Sequence, residues 1–120
     1  MNAKRFLIVC RRPPYGESYA REALDVGLAA AAFDQTIALL FLGDGVTQLL
    51  KAHDSAAIDE KSFEKQLSAL PLYDINSIYV DAAALQQRGV TTADLSLPAQ
   101  AVSAVEIAAL LKAHDIVLNF

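Results

Sequence analysis

The chain has 120 residues, 54% of them hydrophobic and 20% charged, with a formal net charge of −4 and a single cysteine. That length makes one domain, residues 1–120, large enough to bury a core without staples. The acidic balance argues against a protein whose work is gripping nucleic acid, which wants a basic face. One cysteine excludes an internal disulfide and gives no sign of an oxidising compartment.

The N-terminus opens MNAKRFLIVC, where a basic pair precedes five apolar residues and Arg11 and Arg12 end the run. This is too short for a signal-peptide core or a membrane span, so no membrane association and a cytoplasmic location are expected. RFLIVC (5–10) reads as a strand buried on both faces. Pro13 and Pro14 break it, and Gly16 frees the turn. A helix is predicted from about Tyr19 to Ala32, with Leu24, Leu28 and Ala31 on one stripe. TIALLFL (36–42) reads as the second buried strand, closed by Gly43-Asp44-Gly45, and Asp44 is placed to cap a short helix through Leu50. A second amphipathic piece carries Phe63, Leu67 and Leu70 on one face and stops at Pro71.

Ile75–Val80 is the expected third strand, running through Asp81 into a short Ala-rich helix that ends at Gly89. A polar connection spans 87–97. AQAV (99–102) is a short fourth strand, Ser103-Ala104-Val105-Glu106 a capping box for the last helix, and IVLNF (116–120) the final strand. Alternating strands and helices predict an α/β fold: a single-domain three-layer sandwich on a mostly parallel five-stranded sheet, flavodoxin-like.

Such a sheet invites a nucleotide or flavin, but the loops do not support one. GDGVTQ (43–48) begins like a dinucleotide fingerprint, yet Gln48 sits where the third glycine belongs. RRPPYGES (11–18) lacks the lysine and the Gly/Ser/Thr density of a phosphate cradle, and its two prolines remove N–H donors. No cofactor is expected. His53 and His114 each precede an Asp but lie 61 positions apart without further ligands nearby, so no metal is expected either. LLKAHD occurs at 49–54 and 110–115, and both copies read as helix ends whose Lys and His suit the negative end of the helix dipole. There is no G-x-S-x-G elbow. Tyr15, Asp74 and Asp81 are expected on one edge of the sheet as a polar rim. Cys10 ends the first strand beside Arg11 and Arg12, which favours a thiolate, while its place in an apolar strand favours a buried, inert thiol.

Four segments, PPYGESYAREALD (13–25), LLFLGDGVTQLL (39–50), LYDINSIYVDAAALQQRG (72–89) and HDIVLNF (114–120), together resemble the DsrE/DsrF-like family, and within it the TusC/DsrF branch. The resemblance runs over nearly the whole chain. It implies a cytoplasmic sulfur relay in which persulfide sulfur passes through small carriers toward 2-thiolation of a tRNA wobble uridine. In Dsr complexes it implies oxidation of stored sulfur. It also implies a hetero-hexamer with TusB-like and TusD-like subunits, two copies of each chain, and contact with sulfur-carrier proteins through the complex, without direct nucleic-acid binding. The family's carrier cysteine follows the third strand, which lands at or beside Asp81 here. A carboxylate cannot hold a sulfane sulfur and repels an incoming persulfide anion.

The expectation is therefore a structural subunit with no activity of its own and no catalytic residue. Tyr15, Tyr19, Arg21, Asp44, Gln48, Tyr73, Asp74 and Asp81 are its candidate interface or support residues. Two alternatives remain: a sulfurtransferase that carries persulfide on Cys10, and a stand-alone homo-oligomer that binds a small ligand at the strand ends. Exposed partner surface also predicts self-association when partners are missing.

Overall fold

The computed structural model describes residues 4–12, 19–50 and 66–120. Its strands are β1 (Arg5–Cys10), β2 (Thr36–Phe41), β3 (Ser77–Asp81), β4 (Gln100–Val102) and β5 (Ile116–Asn119). Its α-helices are α1 (Tyr19–Ala32), α2 (Ala82–Gln87) and α3 (Ala104–Ala113), and three 3-10 helices are η1 (Gly43–Leu49), η2 (Leu70–Tyr73) and η3 (Thr92–Asp94). A helical turn at 66–69 leads into η2. The expected five-stranded α/β sandwich is present, and every strand pair is parallel, in the order β4-β3-β2-β1-β5.

That order explains the two layers of cover. Steps from β1 to β4 all move one way, so right-handed crossovers keep their helices on one face. The last step returns from β4 past β1 to β5 and carries α3 to the other face. The sequence of β1 fits this position, since its alternate residues enter two separate cores. Ile8 and Cys10 join Leu39, Phe41, Ile78 and Val80 under α1, η1 and α2. Leu7 and Val9 join Ala38, Leu40 and Val102 beneath Ile107 and Leu110 of α3. Full burial of each such aliphatic side chain stabilises by about 1.5–3 kcal/mol.

Several boundaries move. β3 begins at Ser77 rather than Ile75, although Ile75 is buried. The element after Gly43 is a 3-10 helix, and Asp44 does not cap it: Leu42 holds the cap position without a side-chain hydrogen bond. The reason is steric. The backbone at Gly45 runs so close to β1 that an added Cβ would lie 1.9 Å from the carbonyl oxygen of Cys10, and this tight wrap replaces a regular α-helical start. The capping box at Ser103 and Glu106 forms as predicted, with Ser103 N–H donating to Glu106 Oε1 at 2.9 Å. His114 meets the carbonyl of Leu110 at 2.7 Å, consistent with a helix-end role, whereas Phe63 and His53 lie outside the described residues.

Candidate functional site

In a parallel sheet the chemistry-bearing loops gather at the carboxyl ends of the strands. Cys10, Phe41, Asp81 and Val102 mark that edge here. Asp44 and Gln48 stand on it in η1, and Asp81 at the end of β3. Tyr73 and Asp74 do not. They precede β3 and so lie at the amino edge, on the opposite side of the molecule from Asp81, which corrects the single polar rim expected from sequence. Strand direction explains the separation: a residue before a strand and one after it cannot share an edge. Tyr15 lies outside the described residues, Tyr19 opens α1, and Arg21 is half-buried on that helix.

Asp81 has a definite local task. Its carboxylate accepts from the backbone N–H of Ala83 at 3.1 Å and caps α2. The helix ends at Arg88, and Gly89 takes a left-handed φ of 66° beyond it. Arg88 donates from Nη1 to the carbonyl of Ala84 at 3.0 Å and from Nη2 to the carboxylate of Asp44. The corner after β3 therefore opens a helix fastened at both ends, and its far end is tied to the loop after β2. Sequence reasoning misses Arg88. Its place at the end of an Ala-rich helix hints at a carbonyl cap, but nothing local points to Asp44, 44 positions away.

Gln48 is buried, at 3% exposure, and its amide donates to the carbonyl of Arg12 at 2.6 Å. This bond joins the loop after β1 to the loop after β2. The other amide atom, Oε1, has no hydrogen-bond partner among the described residues.

Cys10 is 1% exposed and packed in the apolar cluster of the first face. Burial pushes its thiol up to about 12. The neighbouring arginines do not produce the lowered value that their proximity in sequence suggests, because both side chains are exposed at the strand end while the sulfur faces the core. At neutral pH the group is a protonated, inaccessible thiol. Among the described residues no three His, Cys, Asp or Glu side chains converge to hold a metal ion, and no helix is long and apolar enough to cross a membrane.

The profile of the DsrE/DsrF-like family matches residues 4–120. The chain belongs to the DsrE/DsrF-like family. It is 46% identical over 92 residues to the intracellular sulfur oxidation protein DsrF of Allochromatium vinosum, covering 77% of this chain and 68% of that protein. It is 34% identical over 117 residues to the TusC homolog of Pseudomonas aeruginosa, covering 98% of each. The crystal structure of the ychN protein from E. coli superposes with a TM-score of 0.83 over 98% of this chain and 99% of that one, at 21% identity, a likeness of fold. This DsrE/DsrF-like chain thus joins a family fold to a carboxyl edge whose thiol is buried and whose strand-three corner is a helix cap.

Proposed function

We propose that this chain is a non-carrying, structural subunit of a TusBCD-type or DsrEFH-type sulfur-relay complex. In that reading persulfide sulfur rides on a partner's cysteine, and this subunit shapes the surface around it. The observation that carries the proposal is that neither Asp81 nor Cys10 can serve as a sulfur carrier. Asp81 occupies the corner after β3 and commits its carboxylate to Ala83 N–H, while the chain's one sulfur is buried and protonated. Sulfur transfer needs an exposed thiolate, and neither residue offers one. The names borne by its relatives, an intracellular sulfur oxidation protein and TusC homologs, support membership of such a relay.

The relay would deliver sulfur toward 2-thiolation of tRNA wobble uridine in a Tus setting, or draw on stored sulfur in a Dsr setting, in the cytoplasm in either case. Its partners would be TusB-like and TusD-like chains, with carrier proteins docking on the assembled complex. Co-expression with those partners and native mass spectrometry of the tagged complex tests this. Two copies of each chain are expected. A chain that emerges without them refutes the assignment. Incubating the complex with a cysteine desulfurase and cysteine, then weighing each subunit, tests the division of labour: added sulfur is expected on the partner, and sulfur on Cys10 would make this chain a carrier instead.

A further inference from the structure

An open sheet leaves backbone donors and acceptors without a strand partner along both of its edges. The edge strands here are β4 and β5, and they differ in how they are protected. β4 is three residues long, and brevity is one device that blunts an edge. β5 has the sequence Ile-Val-Leu-Asn, with no charge and no proline, and its register with β1 runs without a slip from Ile116 to Asn119. Its hydrogen-bonding phase is fixed by β1. Phe120 N–H donates to the Val9 carbonyl at 2.9 Å, and the Phe120 carbonyl accepts from Arg11 N–H at 3.0 Å. A strand residue turns its N–H and C=O to the same side, and that side alternates along the chain. Leu118 and Phe120 therefore face β1, while Val117 and Asn119 turn their backbone groups to the open edge. Among the described residues no strand lies beyond them.

We propose that β5 pairs antiparallel with β5 of a second copy of this chain, across a twofold axis at Leu118, so that the two five-stranded sheets become one. The phase of the backbone selects this axis. It sets Val117 opposite Asn119 of the second copy and Asn119 opposite Val117, the residues whose groups face outward. Each opposed pair exchanges two N–H···O=C bonds, as a hydrogen-bonded antiparallel pair does. Every outward group of β5 is then satisfied. An axis at Val117 would match Asn119 with Asp115, whose N–H already donates to the Arg5 carbonyl at 2.9 Å. An axis between two residues would set an outward backbone against an inward one. The other edge is a poorer occupant. Thr36 N–H donates to the Lys4 carbonyl, and carrying that phase through the strand registers leaves Ala101 as the one residue of β4 that faces out. Pairing of β5 with β4 of another copy would thus leave groups of β5 unmatched, and as a head-to-tail contact it does not close on itself. The β5 twofold closes, and opposes no like charges. The contact does not depend on the partners proposed above, and fits an assembly that holds two copies of this chain.

Amide hydrogen exchange on the purified full chain tests this residue by residue. The chain is expected to be a dimer by native mass spectrometry and sedimentation. In the dimer the Val117 and Asn119 amides should exchange at least about tenfold more slowly than in dilute, monomeric protein, while Leu118, held by β1, stays the same. Asn119→Pro removes an outward donor without touching the ladder to β1, and should give a monomer with unchanged circular dichroism. Ala101→Pro, the matching change on β4, should leave the dimer intact. Asn119→Lys keeps the backbone but sets two cations beside the axis, and should weaken the dimer at low salt and less at high salt. A monomeric wild type would overturn the proposal. So would a dimer whose Val117 and Asn119 amides exchange as freely as in the monomer, or one dissolved by Ala101→Pro instead. Protection that appears only when partner chains are added would assign the edge to a partner's strand and overturn it too. If the hetero-complex never forms but the chain alone dimerises with both amides protected, the contact stands and the relay assignment falls. A complex with two copies of each chain and freely exchanging amides reverses that result.

Discussion

Gly45→Ala is the sharpest probe of how the carboxyl edge is built. On an unhindered backbone with ordinary φ this substitution would stabilise by about 0.4–1 kcal/mol, because it narrows the unfolded ensemble. Here the new methyl would stand 1.9 Å from the Cys10 carbonyl oxygen and 2.7 Å from its carbonyl carbon. Both obstacles are backbone, so no rotamer change relieves them. Clearing even 3.0 Å means moving η1 or β1 by about 1 Å, and η1 carries Val46, Gln48 and Leu49, all buried. Overpacking of a rigid core costs about 1–3 kcal/mol. Straining the Leu42 N–H to Cys10 carbonyl bond (2.9 Å) and the Gln48 bond to Arg12 adds about 1 kcal/mol. A net loss of about 3 kcal/mol lowers the melting temperature by about 12 °C, at roughly 4 °C per kcal/mol for a domain of this size. Gly43→Ala is the control. Nothing lies within 4 Å of its Cβ position, and its φ of 52° costs the variant about 1–2 kcal/mol. Thermal and urea unfolding of both variants decide the matter. A Gly45→Ala protein as stable as wild type would refute the close-approach argument.

Other expectations rest on single groups. Cys10 rises from its ordinary value of 9.0 to about 12 through burial. The unfolded thiol ionises first, so its contribution to stability is complete below about pH 9 and lost as pH rises toward 12. Urea titrations across that window should show a steeper decline for wild type than for Cys10→Ala, and parallel curves would refute the burial argument. The native thiol should also resist alkylation at about pH 8 and react promptly in denaturant. Asp81→Ala should cost about 1 kcal/mol through loss of the α2 cap, with Asp81→Asn retaining most of it; equal losses would show that charge, not capping, sets the role of Asp81. Asp44→Asn should cost less than about 1 kcal/mol, because the Asp44 side chain is 68% exposed and its pair with Arg88 is screened by solvent. A much larger loss in a salt-independent unfolding assay would point to a buried network instead.

The legible parts of the fold are those governed by near neighbours. β1, α1 and the start of α3 fall where the apolar runs, the helical stripe and the capping box put them. Five strands with helices between them, in a parallel sheet, follow from the alternation alone. The short 3-10 turns are harder to read. Gly43–Leu49 has the composition of a capped helix, and only its contact with the Cys10 backbone turns it into a tighter wrap. The separation of Asp74 from Asp81 is available from strand direction.

Three features are written in the chain without reference to its packing: the two-faced parallel sheet, Asp81 at the corner after the third strand, and the one cysteine at the end of the first. Local spacing is enough to set them. The direction of the Cys10 sulfur, and hence its protonated thiol, came only with the folded arrangement. So did the pairing of Asp44 with Arg88, the bond from Gln48 to the loop after β1, and the open edge of β5. Each of these depends on groups brought together from distant positions, where burial and electrostatics are set by the packed surroundings rather than by sequence neighbours.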